Sequence, residues 1–309
     1  MKRRRLTLGL LTAAVFTAGC GPGFDPYNRL NSLRVLAIRS EPSAPASGEA
    51  TTITASVYTP DGTPPAYDWS WCPFVTAAGA PCPISETDLA ALTGVTIPYH
   101  LSSDPTAMFM DSIPDASLEA ACAARPGIPA PDCTDGFPIQ IKLTVTTADD
   151  EVQAFRQLRL RFRAEQAPNA NPALDHLYAI VGDADPASLQ DVLAPLVLPR
   201  HVETVIGAVL ADGGGNGAES YAGKDDNGNP AQLVERLNLS WFVENGTTNH
   251  ERTTFIDGQI AIEDATKIKW TPAFKKDYAS STARVVVIIR DNRDGVGWID
   301  GLVKLREAP

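Results

Sequence analysis

The amino-acid sequence predicts a mostly β protein built from two β-sandwich domains in tandem. Short segments in which apolar and polar residues alternate recur along the 309-residue chain, and glycine, proline and aspartate turn signals separate them. Helical patterns are confined to two short stretches between residues 84 and 136. Alternation with a period of two places apolar side chains on one face of a strand. Many short strands separated by turns are typical of a sandwich.

The first domain is predicted to cover residues 33–165. Its opening segment, LRVLAIRS, carries apolar residues on both faces, so both faces are expected to be partly covered. The segment YDWSW places Tyr67, Trp69 and Trp71 on one face of a third strand, which predicts a tryptophan in the core. The predicted strands are residues 33–40, 49–59, 67–71, 137–147 and 151–163.

A short helical, cysteine-containing insertion is predicted at about residues 84–136. Ser85 is followed three residues later by Asp88, a spacing typical of a capped helix. A second helical patch, DASLEAACAA, covers residues 115–124. The apolar residues 108–110 are expected to seal a small core under a long loop.

A domain boundary is predicted where the strand pattern stops. Residues 164–172, AEQAPNANP, replace the alternation with polar residues and two prolines, which predicts a linker at residues 166–173. The second domain is then expected over residues 174–309. Its main predicted strands are residues 174–181, 203–211, 233–244, 266–271, 283–290 and 298–305.

The two halves share one plan. Each has an opening strand, a second strand, a third strand that carries a tryptophan, and a long terminal hairpin; in the second half the tryptophan is Trp241. This plan resembles the immunoglobulin-like β-sandwich, in which a tryptophan on the third strand packs between the sheets. Neither half has the paired cysteines of antibody domains, so the resemblance rests on the strand pattern.

The first 20 residues carry the features of an export signal. Four basic residues at positions 2–5 precede an apolar run at residues 6–16, and this run of 11 residues is shorter than the roughly 20 that a membrane-spanning helix needs. The run ends in TAGC, with small residues directly before Cys20. This motif resembles the lipobox of bacterial lipoproteins. In that family the cysteine receives a diacylglycerol, the signal is cleaved before it, and the new amino terminus is usually acylated with a fatty acid such as palmitate.

The lipobox resemblance implies a location and a tether. It implies a signal peptide at residues 1–19 and a lipidated tether at residues 20–32. Two or more acyl chains hold a protein stably on a membrane. Gly21, in place of an aspartate, favours the outer membrane of the bacterial cell envelope. The short tether predicts that the first domain lies close to the membrane and that the second projects away from it.

The charge balance indicates which partners are excluded. Residues 1–19 hold four of the 26 basic residues and none of the 37 acidic ones, so the formal net charge of −11 becomes −15 after cleavage. Binding of nucleic acid needs a basic patch that neutralises phosphates. The composition therefore predicts no nucleic-acid partner.

The remaining four cysteines are candidates for disulfide bonds. Their even number, in a compartment that permits disulfides, predicts a bonded framework. Three connectivities are possible, and two local loops are the simplest. A zinc site is disfavoured because its ligands usually stand two to four residues apart. The disulfide candidates are Cys72, Cys82, Cys122 and Cys133.

Catalytic motifs with known mechanics are missing from the sequence. It contains no G-x-S-x-G, no H-E-x-x-H and no G-x-x-x-x-G-K-[ST]. Two acidic loops are weak candidates for calcium, because aspartate and asparagine oxygens are ligands that calcium prefers. The alternative is that these residues serve tight turns. The calcium candidates are Asp225, Asp226, Asn227 and Asn229 in the first loop and Asp291 and Asp294 in the second.

The sequence therefore predicts a non-enzymatic envelope lipoprotein that serves in binding, adhesion or scaffolding. Tandem immunoglobulin-like domains behind a lipobox resemble a family of bacterial surface lipoproteins, and this resemblance brings no catalytic residues with it. The expected partners are the membrane, through the lipid on Cys20, and an envelope or surface protein. The alternative is a carbohydrate- or peptide-acting enzyme, or a solute sensor, with its site in residues 84–136 or in the acidic loops.

Overall fold

The structure is a computed structural model that describes residues 26–77, 79–123, 131–191, 193–211, 217–224 and 227–307. The predicted signal peptide and Cys20 lie outside the described residues. None of the helices in the described ranges is long and apolar enough to cross a membrane.

The first half of the chain forms seven strands and two helices. The strands are β1 Arg34–Glu41, β2 Ala50–Tyr58, β3 Ala66–Cys72, β4 His100–Ser102, β5 Thr106–Met110, β6 Phe137–Thr146 and β7 Glu151–Leu160, and the helices are α1 Glu86–Thr93 and α2 Asp115–Cys122. They build a three-stranded sheet, β1-β2-β5, and a four-stranded sheet, β4-β3-β6-β7. This distribution of strands between two sheets is that of an immunoglobulin-like sandwich.

The core of the first domain lies between its two sheets. Trp69 and Trp71 of β3 are buried there, as the sequence predicts. The Trp71 ring packs edge-on against Tyr99 with centroids 5.5 Å apart and lies 5.1 Å from the ring of Phe109. Each indole also has a hydrogen-bond acceptor, since Trp71 Nε1 donates to the Pro98 carbonyl at 2.8 Å. The tryptophans thus fill the core without leaving a buried donor unpaired.

The segment between β3 and β6 does more than the sequence predicts. Its two helices, α1 and α2, are the expected helical elements, and Cys122 and Cys133 are bonded within it, while Cys82 is bonded to Cys72 at the end of β3. Between the helices, however, β4 pairs with β3 and β5 pairs with β2. Residues 106–110 are therefore an edge strand of the sandwich, with Phe109 buried and Met108 and Met110 exposed.

The second half forms a larger sandwich. Its elements are β8 Leu174–Val181, β9 Ala187–Ser188, β10 Leu196–Pro199, β11 Thr204–Leu210, β12 Ser220–Lys224, β13 Pro230–Val234, β14 Leu237–Val243, β15 Thr247–Thr248, β16 Arg252–Phe255, α3 Ile262–Ala265, β17 Lys267–Thr271, β18 Thr282–Arg290 and β19 Val296–Arg306. Two five-stranded sheets, β15-β17-β11-β8-β9 and β10-β19-β18-β14-β16, enclose the core. Trp241 of β14 and Trp270 of β17 are fully buried in it. The predicted fold class is confirmed by these two tandem sandwiches.

One strand prediction in the second half is wrong in detail. Residues 233–244 do not form a single strand, because the chain breaks after β13 and restarts as β14. β13 pairs only with β12 in a separate hairpin that stands outside both large sheets. The buried Glu235 lies at this break, where its backbone N–H donates to the Glu219 carbonyl at 2.9 Å.

The two sandwiches share an apolar interface. Leu36 and Ala37 of β1 form one buried cluster with Phe242 of β14 and Ile288 of β18. Ile38 of the same strand points into the core of the first domain. The apolar residues on both faces of the opening strand are thereby explained, since one face covers its own core and the other contacts the second domain.

Polar contacts surround this apolar interface. Asp294, in the turn between β18 and β19, accepts a hydrogen bond from Arg159 Nε of β7 at 3.1 Å. The Asp294 carbonyl accepts from the buried guanidinium of Arg156. Burial lowers the pKa of Arg156 to about 10. From the second domain, Arg290 Nη2 donates to the Leu36 carbonyl at 2.7 Å. Leu36, Arg156, Arg290 and Asp294 line a cavity of about 390 Å³ between the domains.

The connection between the domains is also held in place. Asn171 bridges both sandwiches, because its Nδ2 donates to the Ser40 carbonyl at 2.8 Å and its Oδ1 accepts from the Val296 N–H at 2.9 Å. Gly297 packs directly against this segment, and a Cβ there would lie 2.0 Å from the Pro172 carbonyl oxygen. Only glycine fits at such a distance. The segment predicted as a linker is thus an ordered part of the interface.

The N-terminal segment pairs its backbone with the second domain. Arg29 forms a parallel bridge with Val243 at the end of β14. The Leu30 N–H donates to the Val243 carbonyl at 2.9 Å, and the Val243 N–H donates to the Asn28 carbonyl at 3.0 Å. Leu30 is buried in the interdomain cluster. Of the predicted tether at residues 20–32, the part from Tyr27 to Leu30 is therefore tied to the second domain.

Candidate functional site

The first domain carries an apolar groove at one end. Its volume is about 700 Å³, and it lies among α1, α2 and the segments that flank both disulfide bonds. Its polar side chains are those of Thr93 and Ser117 only, and the rest of the described lining is apolar or alanine. Concave, mostly apolar sites of this size are where proteins commonly bind small molecules or partner side chains.

Helix α1 forms one wall of the groove. Ser85 caps its start, since the Asp88 N–H donates to Ser85 Oγ at 3.1 Å. Gly94 ends it in the left-handed conformation, with φ at 76°. The helix buries Leu89 towards the core, while Leu92 is 73% exposed beside the groove. The capping pair predicted from the sequence therefore positions an exposed apolar side chain at the rim.

Helix α2 forms the opposite wall. Leu118 is its buried residue, and the alanines at 116, 120 and 121 leave the groove open because their side chains are small. Arg163 fixes the helix from outside: its Nη2 lies 2.6 Å from Glu119 Oε2. This ion pair, with hydrogen bonding to the carboxylate as the main cause, lowers the pKa of Glu119.

The disulfide bonds hold the two ends of the groove. Cys72 is bonded to Cys82 and Cys122 to Cys133, so both predicted local loops are confirmed. The first bond restrains the loop that displays Phe74, whose side chain is 43% exposed at the rim. The second joins the end of α2 to the segment before β6. Cross-linking loops of about ten residues contributes about 3 kcal/mol each through the entropy of the unfolded chain.

A buried carboxyl group is hydrogen-bonded to Ile113, one of the residues that line the groove. Asp111 follows β5 and is 2% exposed; its Oδ1 accepts from the Ile113 N–H at 2.9 Å, and its Oδ2 has no hydrogen-bond partner. Burial raises the pKa of Asp111 to about 6. Sequence reasoning missed this residue, because an aspartate before a helix reads as an ordinary turn residue.

Four of the six calcium candidates fall in the first acidic loop. Asp225 and Asp226 lie outside the described residues. Asn227 and Asn229 are exposed in the turn that joins β12 to β13. The calcium prediction for this loop stays a prediction.

The other two candidates have protein donors around them. Asp291 is buried; its Oδ1 accepts from the N–H groups of Arg293 and Gly295, both at 2.7 Å, and its Oδ2 accepts from Asn169 Nδ2 at 3.2 Å. Asp294 is paired with Arg159, as described above. Among the residues that the structure describes, no group of three or more His, Cys, Asp or Glu side chains is arranged to hold a metal ion. For this loop too, calcium stays a prediction.

A second buried charge cluster lies next to Asp291. Arg293 Nη1 is 3.4 Å from Glu235 Oε1, and both residues are buried. Burial is the main cause that raises the pKa of Glu235 to about 7, against the opposing effects of Arg293 and of its hydrogen bond with the Glu219 N–H. Arg293 also donates to the carbonyls of Ala167 and Pro168, so this cluster fastens the interdomain segment to the second domain.

Comparison with known proteins gives only a distant likeness. No protein-family profile and no curated protein matches the chain. A chimeric titin Z1Z2-Z1Z2 tandem is 10% identical over 90% of this chain and all of its own, with a TM-score of 0.24. A carbohydrate-binding module of the β-sandwich superfamily is 11% identical over 92% of this chain and 95% of its own, with a TM-score of 0.25. These scores are too low to bear on function, and the fold assignment rests on the strand order described above.

Proposed function

We propose that the protein is a lipid-anchored lipoprotein of the bacterial envelope. It binds a partner in the groove of its first domain and does not catalyse a reaction. The observation that carries this proposal is the apolar groove between α1 and α2. Its lining offers burial to apolar side chains and only two hydroxyl groups for specificity. The lipobox motif at Cys20 supports the anchor.

The proposed occupant is an apolar segment of an envelope protein. Burying a side chain such as leucine or phenylalanine contributes about 1.5–3 kcal/mol. Four to five of them at about 2 kcal/mol each reach the roughly 8 kcal/mol that micromolar affinity requires, before ordering costs. Phe74, Val75 and Leu92 stand exposed at the rim and extend the apolar surface beyond the groove. Rigid walls, held by two disulfides, lower the ordering cost of binding.

Site-specific photo-crosslinking tests the groove. A photoreactive phenylalanine analogue replaces Leu92 at the groove, and a matched control places it at Leu193, which is 94% exposed in the second domain. We expect a discrete adduct from intact cells at position 92 and none at position 193. The same adducts at both positions, or none at position 92, would contradict the proposed binding site.

The anchor is tested separately by labelling. Cells that express the natural chain are expected to incorporate radioactive palmitate into the protein, and Cys20→Ser is expected to abolish both the label and the recovery in the membrane fraction. A Cys20→Ser protein that stays with membranes after a carbonate wash would overturn the lipid anchor.

A further inference from the structure

We infer that the end of the second domain on which the N-terminal segment docks is a membrane-facing surface that contacts anionic lipid headgroups. This inference rests on the proposed lipid anchor, and it assigns one face of the second domain to the membrane. It reverses the sequence-based expectation that the first domain lies closest to the membrane.

The docking of the N-terminal segment fixes where the tether leaves the protein. Besides the backbone bonds to Val243, Asn28 Nδ2 donates to Thr248 Oγ1 at 2.7 Å, and the Arg29 guanidinium donates to the Gly246 carbonyl. The ring of Tyr27 lies 5.5 Å from that of Phe242. The segment is thus held on the second domain by main-chain, side-chain and aromatic contacts, and Arg34 Nη1 of the first domain donates to the Tyr27 carbonyl.

The remaining tether is short. Only five residues, 21–25, separate Cys20 from Pro26. A fully extended chain spans at most about 3.6 Å per residue, so the tether reaches roughly 20 Å. A lipid on Cys20 therefore keeps the docking point of the second domain within roughly this distance of the headgroups.

The surface beside the docking point is aromatic and basic. Gly246 lies against the backbone of Thr271 and Pro272, and Asn245 accepts a hydrogen bond from the Ala273 N–H at 3.0 Å. The next residue, Phe274, is 41% exposed and stacks on His201 with ring centroids 3.8 Å apart. Two exposed lysines follow it at positions 275 and 276, and Lys276 Nζ lies 5.7 Å from the Phe274 ring.

The other side of the docking point also carries an exposed aromatic ring and a basic side chain. Tyr27 is 45% exposed, and the exposed Arg252 lies over its ring at 4.5 Å. Three carboxylates lie nearby. Glu251 and Asp277 are exposed, while Glu244 is half-buried and accepts hydrogen bonds from Tyr58, Tyr278 and the Arg284 N–H.

We name this surface the basic-aromatic face and define it by Tyr27, Arg252, Phe274, Lys275 and Lys276. Aromatic rings flanked by lysine and arginine favour the interface between headgroups and water. Basic side chains are attracted to anionic lipids within a Debye length of the surface. With Arg29 at the docking point, four cations stand against three carboxylates here. In a mature chain of net charge −15 the rest of the surface is repelled more strongly by anionic lipid.

Depth-dependent fluorescence quenching tests the orientation. The mature chain, residues 20–309, is attached to vesicles through a hexahistidine tag that replaces the lipid at residue 20 and binds a nickel-chelating lipid. The vesicles contain 70% phosphatidylcholine and 30% phosphatidylglycerol with a headgroup spin label. An environment-sensitive fluorophore is carried on Phe274→Cys or, as a matched control in the first domain, on the exposed Met108→Cys.

We expect the spin label to quench the probe at position 274 at least threefold more than the probe at position 108. Lys275→Glu with Lys276→Glu is expected to halve the quenching at position 274 on anionic vesicles, with unchanged thermal stability. Lys267→Glu with Lys269→Glu, two other exposed lysines of the same domain, is the matched charge control and is expected to leave quenching unchanged.

Equal quenching at both positions, or stronger quenching at position 108, would overturn the basic-aromatic face. Loss of quenching in both lysine pairs alike would overturn its specific charge chemistry. Since the tag replaces the lipid, these outcomes do not depend on lipidation, and a failure of the palmitate experiment alone would overturn the anchor and not the face.

Discussion

The two sandwiches share a strand order but are stabilised by different means. The first has sheets of three and four strands, and two disulfide bonds restrain its longest connections. The second has two sheets of five strands and no cysteine, and it buries Trp241 and Trp270 together with the Arg293–Glu235 ion pair. In the first domain, the segment that forms the groove makes fewer core contacts. The two disulfide bonds compensate for these missing contacts.

The largest expected effect concerns the covalent links. Replacing Cys72, Cys82, Cys122 and Cys133 by serine is expected to lower the unfolding free energy of the first domain by about 5 kcal/mol, because two loops of about ten residues regain their entropy. Calorimetry with and without reductant checks this. The transition of the cysteine-free second domain is expected to move by much less. An equal shift of both transitions would show that the domains do not differ in this way.

The second domain is expected to lose stability when one partner of its buried ion pair is removed. Arg293→Met leaves Glu235 buried without its partner and is expected to cost about 3–5 kcal/mol. The double variant Arg293→Met with Glu235→Met is expected to recover much of that loss, because neither member of the pair is then left buried without the other. Urea denaturation of the four members of this cycle measures the coupling. Independent, additive losses would show that the pair makes no net contribution.

The pH dependence of stability is expected to differ between the two domains. Asp111 has a pKa of about 6 in the folded chain, above the usual 3.8, so its contribution is present at pH 4 and is lost as the pH rises through 6. Asp111→Asn is expected to stabilise the first domain by on the order of 1–3 kcal/mol at pH 7 and to have little effect at pH 4.

For Glu235 the same sign applies over a higher window. Its pKa is raised from 4.5 to about 7, so stability of the second domain is lost as the pH rises from 4.5 through 7. Melting temperatures of the natural chain and of Asp111→Asn between pH 4 and 8 check both windows. If Asp111→Asn changed the two transitions equally, or was destabilising at pH 7, the assignment of Asp111 to the first domain's pH response would be wrong.

The smallest expected effect lies at the interface that joins the two regions. Asp294→Asn keeps a residue that tolerates the φ of 74° at this turn but removes the charge that pairs with Arg159. We expect a loss of about 1 kcal/mol in interdomain coupling, since the pair is partly exposed. Hydrogen exchange is expected to speed up at the interface and not within either core. Unchanged exchange at β1 would show that the pair of Asp294 and Arg159 does not contribute to holding the domains together.

The fold was predictable where its determinants are local. The hairpin of β6 and β7 was predicted at residues 137–147 and 151–163 and spans Phe137–Thr146 and Glu151–Leu160, because alternation and a turn signal are both written in neighbouring residues. The cap of α1 by Ser85 was visible for the same reason. The edge strand β5 was missed, since the run MFM shows apolar residues on both faces and only pairing with β2 distinguishes them.

The site and the interface depend on contacts that a local pattern does not show. The alanines of α2 read as a weak helix, and their role as an open wall emerges only when α1 and the disulfides are placed opposite. Asp294 reads equally well as a turn residue or as a metal ligand, and only the position of β7 reveals Arg159 beside it. Residues 27–30 resemble a spacer by composition, and their place on β14 could not be derived from residues 21–32.

The docked N-terminal segment sets an order of events during biogenesis. Asn28 and Thr248 are 220 positions apart, so the first of them is synthesised long before its partner exists. Contacts of such separation form late, after the elements they join have folded. Under the proposed lipid anchor on Cys20, the first sandwich would until then be tethered through a longer stretch of chain. Docking of residues 27–30 on the folded second sandwich would shorten that tether, so the second sandwich would set the final distance between protein and bilayer.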